Sequence, residues 1–499
     1  MAHHALIFTC NDSVDIYRSR LSGAHRIATI LRDEGWDVEV VDYVSMWNIY
    51  ELKAFVQSRT TSKTVFYGFS SFANSWSANL SNLTKWMKEK YPNVKTVIGG
   101  QSVGFTPATS IDYWVDSYGE VAILELAKAM IGNTNAGLIF DPTSFGARKV
   151  IMSNQSYPAF PMKSLKVIME KRDFVQPYEW LSTEIGRGCK FKCSYCNYPI
   201  LGVKGDHTRS AEDFEYEMNY NYDTFGVKNY RIIDETFNDS VEKVNKFSSV
   251  VDRLDFEPFY NAYIRADLMI SHKEMWETLA KMRVGAQYYG VETFNHQSAK
   301  VIKKGMHPDK IKQGVLEMKE YFSKLLFYRG TISLIVGLPY ETRESILETK
   351  NWLEQNWSDQ YATIFPLMID KPSKEHNYTN QSEFYHNLQK YGLREMPAAE
   401  KYTMTNGIMK LIPTQTEMMW EHDTMNFRDA DNIARILNRF VEKVGMRVCS
   451  FVLGEVAAHE ACDFFDIPNY QDYKVSYMRK HNGKFDSFVR KYINSKLSM

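Results

Sequence analysis

Gly186-Arg187-Gly188-Cys189-Lys190-Phe191-Lys192-Cys193-Ser194-Tyr195-Cys196 decides how this chain is read. Three cysteines stand within eight residues, spaced Cys-x3-Cys-x2-Cys. Thiolates are soft ligands that suit iron–sulfur clusters or zinc. Three protein ligands on a four-iron cube leave one iron open to a small molecule. A structural zinc site would want a fourth ligand close by. No further cysteine follows at such a spacing, and the nearest downstream histidine, His207, lies in an unpatterned loop. Short cysteine motifs recur for several reasons, so a cluster, a zinc site and three core thiols all stand open at this point.

The flanks of the loop read as alternating strands and helices. A strand at 181–185 leads into it, and Ser210-Ala211-Glu212-Asp213 is a capping pattern opening a helix to about Phe225. Strands follow at 229–235, 259–265, 285–292, 330–339 and 361–366, with helices at 242–254, 272–282, 309–323 and 343–355. That makes about six β/α units over residues 181–370, the pattern of a partial (β/α)6 TIM-type barrel. Polar residues collect at the strand exits: Asp234 and Glu235, then Arg265, then Glu292, then the turn Val336-Gly337-Leu338-Pro339. Barrel enzymes place their chemistry at those ends. A blander role for strand-end carboxylates is to cap the following helix.

Residues 1–135 repeat the alternation. Strands are expected at 5–10, 38–42, 64–69, 96–100 and 113–116, with helices at 23–35, 48–59, 76–90 and 122–130. This predicts an α/β, doubly wound parallel sheet with ligands at the carboxyl ends of its strands. Residues 136–180 carry Asp141-Pro142, Tyr157-Pro158 and Phe160-Pro161 and read as a linker. Residues 371–499 read as a mainly helical C-terminal domain that closes the barrel mouth. Its amphipathic helix spans 429–442, and its basic terminal stretch reads as a solvated helix rather than a nucleic-acid contact.

Composition narrows the class. Lys+Arg and Asp+Glu are both 60, so the net charge of zero gives no reason to expect nucleic acid or an anionic membrane as partner. Six cysteines in 499 residues make no disulfide framework and fit a reducing compartment. No apolar run reaches the about 18 residues of a membrane span, and no charged-then-apolar leader opens the chain. The expectation is a soluble cytoplasmic protein.

The cysteine loop resembles the signature of the radical S-adenosylmethionine (SAM) superfamily, and the strand exits match that family's pattern in order. The resemblance implies that Cys189, Cys193 and Cys196 hold a 4Fe-4S cluster whose open iron chelates SAM. It also implies that Tyr195 packs near the adenine, and that Asp234-Glu235 receives the SAM amino group. Arg265 would meet its carboxylate, Glu292 the ribose, and Val336-Gly337 would border the adenine. The activity implied is reductive cleavage of SAM to a 5′-deoxyadenosyl radical that modifies a substrate the sequence does not identify. The electron donor would be a flavodoxin or ferredoxin, with Arg187, Lys190 and Lys192 either easing its approach or serving as surface charges.

Residues 1–135 resemble the cobalamin-binding domain found in one class of that family, on Gly23–Ala28, Gly99-Gly100-Gln101 and Asp116–Glu120. The Asp-x-His-x-x-Gly motif of many cobalamin domains is absent, and His25 lacks its Asp and Gly. Three functions stay open: cobalamin-dependent methyl transfer, a radical reaction with a cofactor-free N-terminal domain, and a non-catalytic metal-binding scaffold.

Overall fold

Two parallel sheets carry the molecule, which is seen here in a computed structural model. The structure describes residues 2–9, 20, 22–70, 78–100, 110–115, 118–132, 138–140, 149–153, 162–198, 200–369, 382–396, 402–405, 408–411, 418–443 and 488–499. Cys10, Gln101, Asp116, Ser117, Cys449, Cys462 and the basic residues Arg479, Lys480 and Lys484 lie outside them.

The N-terminal sheet is built from β1 (His4–Thr9), β2 (Asp37–Val41), β3 (Thr64–Ser70), β4 (Lys95–Gly99), β5 (Tyr113–Val115), β6 (Leu138–Phe140) and β7 (Lys149–Ser153). Helices α1 (Ser22–Asp33), α2 (Ile49–Arg59), α3 (Ala78–Lys90) and α4 (Gly119–Met130) connect its strands. The order is β2-β1-β3-β4-β5-β7-β6, parallel except for β6 against β7. The sheet therefore runs past residue 135. The stretch read as a linker supplies the last two strands of the sheet, β7 and the edge strand β6.

The first five strands follow the doubly wound order 2-1-3-4-5, whose ligand crevice opens where the winding reverses, between β1 and β3. α2 begins at Asn48, whose Oδ1 accepts from the Glu51 amide at 2.9 Å while Glu51 Oε2 accepts from the Asn48 amide at 2.8 Å. That is a complete capping box.

The second sheet runs β13-β12-β11-β10-β9-β8, all parallel. Its strands are β8 (Trp180–Glu184), β9 (Asn229–Ile233), β10 (Phe259–Ile264), β11 (Val284–Glu292), β12 (Arg329–Val336) and β13 (Tyr361–Pro366). Between them run α5 (Ala211–Phe225), α6 (Val241–Val251), α7 (Ala266–Ser271), α8 (Glu274–Lys281), α9 (His296–Val301), α10 (Pro308–Leu325) and α11 (Arg343–Asn356). The six expected strands are all present. The helix expected at 272–282 is present as α8, and the short α7, which the sequence reading does not anticipate, precedes it. The sheet is an open arc, and its last strand needs a cover. Asn438 provides it: its Oδ1 accepts from the Ile364 amide at 3.1 Å, and its Nδ2 donates to the Ile364 carbonyl at 2.8 Å. Edge strands left unpaired invite association.

Asn438 belongs to α13 (Phe427–Lys443), the amphipathic helix of the C-terminal segment. Helix predominates there among the described residues: α12 (Glu383–His386), α13 and a terminal helix α14 over 488–498. Short strands accompany it, β14 (Arg394–Glu395), β15 (Tyr402–Thr405), β16 (Ile408–Leu411), β17 (Trp420–His422) and β18 (Met425–Asn426). α13 covers the barrel's open side along β13.

The terminal helix departs most from expectation. Instead of lying solvated, α14 packs Phe488, Val489, Tyr492 and Ile493 into the N-terminal core against Leu6, Phe8, Val41 and Trp47. Large apolar side chains gain roughly 1.5–3 kcal/mol each on full burial. Two of its basic residues are tied into the same domain. Arg490 pairs with Glu51 at 2.8 Å, and Lys496, fully buried, pairs with Glu39 at 2.9 Å.

Candidate active site

The cysteine loop leaves β8 at the carboxyl edge of the barrel sheet, and glycines fix its path. A Cβ on Gly186 would lie 2.9 Å from Asp234 Oδ2. Gly188 has φ +106°, and a Cβ there would lie 2.6 Å from Val203. The loop is hydrogen-bonded back on itself, with the Cys189 amide donating to the Ile200 carbonyl at 2.9 Å and the Gly202 amide to the Cys189 carbonyl at 2.6 Å. Ser194 anchors the far side: its Oγ donates to the Val301 carbonyl at 2.9 Å, and its own carbonyl accepts from the Phe384 amide at 3.1 Å.

All three thiols are free, with Cys189 buried and Cys193 and Cys196 half-buried. Polar donors face their sulfurs. Thr236 Oγ1 lies 3.5 Å from Cys189 Sγ, the Tyr198 amide donates to Cys196 Sγ at 3.4 Å, and Arg265 Nη1 donates to Cys193 Sγ at 3.6 Å. Asp267 locks the Arg265 guanidinium through two bonds at 3.0 and 2.5 Å. The same guanidinium rests over the Phe191 ring, 3.9 Å from its centroid.

The two carboxylates after β9 separate. Asp234 turns beneath the loop, where its Oδ1 accepts from the Thr236 amide at 2.9 Å and its Oδ2 pairs with Lys243 at 2.7 Å. Both of its carboxylate oxygens are thus engaged within the protein. Glu235 opens at the mouth, and desolvation by the surrounding protein, with the charge of Asp234, pushes its carboxyl up to about 7. Arg231 and Tyr198 pull it the other way. His207 pairs with Asp239 at 3.3 Å, so it is not turned toward the thiols as a fourth ligand. Among the described residues, no three His, Cys, Asp or Glu side chains converge to hold a single metal ion.

Glu292 sits at a register shift of β11 with φ +69°, a conformation that side-chain-bearing residues adopt at a cost. Tyr195 Oη donates to its Oε1 at 2.7 Å, and Lys304 Nζ lies 3.2 Å from the same oxygen. Val336 is buried. Gly337 has φ +94°, and a Cβ there would fall 2.3 Å from the Trp420 ring. Trp420 stacks on His422, whose Nε2 lies 3.2 Å from the Gly337 carbonyl. Burial lowers the His422 pKa, keeping the ring neutral. Beneath this turn, Glu341 Oε2 accepts from the Gly337 amide at 2.8 Å and from the Leu338 amide at 3.3 Å. Its Oε1 accepts from Thr293 at 2.8 Å.

Gly99 and Gly100 lie apart from this group, at the carboxyl end of β4. Gly100 has φ +127°, and a Cβ on Gly99 would meet Val115 at an ordinary 3.7 Å. His25 is fully buried, with Nε2 3.1 Å from Asp42 and Nδ1 3.8 Å from Asp173. The barrel site is thus assembled from Cys189, Cys193, Cys196, Tyr195, Glu235, Arg265 and Glu292. Asp234 supports it from below, and the Val336-Gly337 turn is backed by Trp420.

A model of the Radical SAM superfamily matches residues 183–353, the stretch from β8 into α11 that carries every one of these barrel residues. Residues 183–353 are thus a radical SAM domain. A domain of that family implies a 4Fe-4S cluster and SAM. An uncharacterized methyltransferase of Pyrococcus horikoshii is 24% identical over 281 residues, covering 54% of this chain and 59% of that protein. A putative methylthiotransferase of Methanocaldococcus jannaschii is 24% identical over 189 residues, 36% of this chain and 40% of that one. The chain thus spans less than two thirds of the length of both curated relatives.

Among solved structures, the cobalamin-dependent SAM radical enzyme OxsB, with aqua-cobalamin and SAM bound, matches 98% of this chain and 72% of its own. The TM-score is 0.56 at 16% identity. The radical SAM methyltransferase TsrM of Kitasatospora setae, with cobalamin and a 4Fe-4S cluster, matches 79% and 77% at a TM-score of 0.56 and 14% identity. These likenesses establish the shared α/β fold of both sheets.

The donor set suits the cluster: three free thiols on one loop, each faced by a hydroxyl, an amide or a guanidinium of the kind that stabilises sulfur-borne charge. Several members of this shell carry no signal in the sequence. Thr236, Phe191, Asp267, Lys304 and Tyr198 become visible only when β9, β10 and β11 lie side by side. Arg187 is corrected outright. It is buried in an ion pair and is no surface charge.

Proposed function

We propose that this radical SAM enzyme transfers a methyl group from SAM to its substrate, with cobalamin held by the N-terminal sheet as carrier. One observation carries the reading: the α4 corner of that sheet is seated on the cysteine loop, where Glu120 pairs with Arg187 and Tyr118 lies against Arg187 and Tyr198. A doubly wound ligand-binding sheet is thereby fixed beside the thiols. The cobalamin-bound neighbours and the methyltransferase name of the Pyrococcus relative support it.

Cys189, Cys193 and Cys196 would hold the cluster, and the cluster with SAM supplies one-electron cleavage of a carbon–sulfur bond. The chain's own part is to bind and orient. Arg265, fixed by Asp267, presents a permanent positive charge to Cys193 and to the SAM carboxylate. Glu235 offers an acceptor to the SAM ammonium. Glu292, gripped by Tyr195 and Lys304, offers an oriented acceptor to a ribose hydroxyl. Trp420 and His422 back the Gly337 turn and keep water from it. Exposed Lys190, Lys192 and Lys204 give a basic rim to an acidic electron donor such as flavodoxin or ferredoxin.

Cobalamin would lie along the carboxyl ends of β1, β3 and β4, where Gly99 and Gly100 leave room for close approach. Both nitrogens of His25 face carboxylates, so this imidazole does not serve cobalt. The same observation favours a second reading, in which the N-terminal domain is a cofactor-free platform.

The test is purification from a cobalamin-replete host, anaerobic reconstitution, and assay of cobalt together with the fate of a labelled SAM methyl group. Stoichiometric cobalt with label entering the cobalamin fraction is expected. A full cluster without cobalt would move the platform reading to the front.

A further inference from the structure

In β9, Tyr230 and Ile232 are fully buried in the core between sheet and helices, with Ala262 and Ile264 of β10, Tyr289 of β11 and Ile332 of β12. Side chains alternate along a strand. Arg231, Asn261, Tyr263, Tyr288 and Thr331 therefore face the other way, into the barrel. Arg265 follows Tyr263 on the same face and reaches the Cys193 thiol, so this face leads to the cysteine loop. Register sets Arg231 opposite Asn261, and Tyr288 opposite both Tyr263 and Thr331. Arg231 Nη2 donates to Tyr263 Oη at 3.0 Å, and the Tyr263 ring meets the Tyr288 ring edge-on with centroids 5.0 Å apart. Arg231, Tyr263 and Tyr288 are half-buried rather than sealed. Thr331 is fully buried, and its Oγ1 has no hydrogen-bond partner among the described residues.

We propose that this inward face is the substrate subsite of the barrel, and that it takes a small organic molecule by an oxyanion, a carboxylate or a phosphate, seated on Arg231 beside the two tyrosine rings. Closed barrels fill this interior with bulky branched side chains. Here it holds a guanidinium, an amide, two phenols and a hydroxyl, the few convergent polar groups of a ligand site. A guanidinium fork matches the oxygens of a carboxylate or phosphate two at a time. Arg265, Lys304 and Arg187 each have a carboxylate partner, in Asp267, Glu292 and Glu184. The carboxylate that feels the charge of Arg231 is Glu235. The proposal rests on the reading above in which Glu235 turns to the SAM ammonium, which leaves the Arg231 charge to a second anion. A molecule anchored there lies deeper in the barrel than SAM, with its free end toward Arg265 and the thiols. Its apolar part packs on Tyr263 and Tyr288.

The experiment measures binding, not turnover. Full-length protein is reconstituted anaerobically, its iron and cobalt are counted, and its SAM affinity is measured. Benzoate, phenyl phosphate and neutral benzamide are then titrated with SAM present, followed by ligand-observed NMR. One of the two anions is expected to bind, with benzamide weaker by at least about tenfold. Which anion binds tells a carboxylic acid from a phosphate ester. Arg231→Gln is expected to weaken that anion by at least about tenfold and to leave SAM affinity unchanged. Arg231→Lys, which keeps the charge and loses the fork, is expected to fall between. The proposal is overturned if neither anion binds protein that binds SAM, or if Arg231→Gln binds the anion as the wild type does. An equal loss of SAM affinity in Arg231→Gln also overturns it, by making Arg231 part of the SAM site. Should Arg231→Gln fail to fold, Tyr263→Phe decides: weaker anion binding at unchanged SAM affinity supports the proposal, and unchanged anion binding overturns it. Arg231-dependent anion binding by protein without cobalt upholds the subsite and removes only the cobalamin reading. Failure of the wild type to bind SAM would overturn the assignment of Glu235, and the proposal with it.

Discussion

Tyr195 Oη donates to Glu292 Oε1 at 2.7 Å, joining the cysteine loop to the exit of β11 across 97 positions of sequence. The bond fixes two groups at once: an aromatic ring adjacent to the third cysteine, and a carboxylate held at φ +69°. A hydrogen bond to a charged group is worth roughly 1.5–3 kcal/mol. Tyr195→Phe keeps the ring and removes the bond. SAM affinity should fall about tenfold, the equivalent of about 1.4 kcal/mol, as read by equilibrium binding to the reconstituted protein. Unchanged affinity would mean that Glu292 is not oriented through Tyr195.

Gly337→Ala places a methyl group in the Trp420 ring at a left-handed backbone position. Overpacking of this kind typically costs 1–3 kcal/mol. The melting temperature should fall, and Trp420 emission should shift toward that of a solvent-exposed indole. A variant with wild-type melting and emission would show that the turn and the β17 segment are not packed as described.

Glu341 is fully buried, and burial pushes its carboxyl up to about 7, against the hydrogen bonds from Thr293 and the Gly337 and Leu338 amides. The folded protein therefore holds this proton more tightly than the unfolded chain, where the group titrates near 4.5. Stability from this group is fully present below about pH 4.5 and is lost as pH rises toward 7, by an amount of order 3 kcal/mol. Glu341→Gln removes that dependence. The stability difference between variant and wild type, followed by denaturant melts, should move in favour of glutamine between pH 4.5 and 7. A difference independent of pH would contradict the assignment.

Lys496 is buried between Glu39 at 2.9 Å and Asp173 at 3.8 Å. Removing one partner of a buried charge pair typically costs 3–5 kcal/mol. Lys496→Met should lower the melting temperature by several degrees, with no change in nucleic-acid binding measured on a non-specific duplex. A variant that melts like the wild type but loses affinity for the duplex would contradict this and make the terminal lysines a nucleic-acid contact.

The parts legible in sequence were those with a local signal. Strands such as 259–264 and 330–336 announce themselves as apolar runs between turn residues, and the cysteine spacing needs no fold to be seen. β6 and β7 were missed because a proline-punctuated stretch looks like linker when its pairing partners lie elsewhere in the chain. α14 was misread for the same reason: Lys496 and Tyr492 look like a solvated basic-aromatic face until the N-terminal sheet presents Glu39 and Asp42 to them. Asp234 and Glu235 are adjacent in sequence, and only the position of Lys243 shows which one is occupied. The clamp of Glu120 on Arg187 joins two domains and leaves no pattern in either.

The most direct measurement is 5′-deoxyadenosine formed from SAM by anaerobically reconstituted protein with a strong reductant, with and without Cys193→Ala. Product from the wild type and none from the variant is the predicted result. No product from wild-type protein shown to carry a full four-iron cluster, tested also with extracts that supply candidate substrates, would contradict the account.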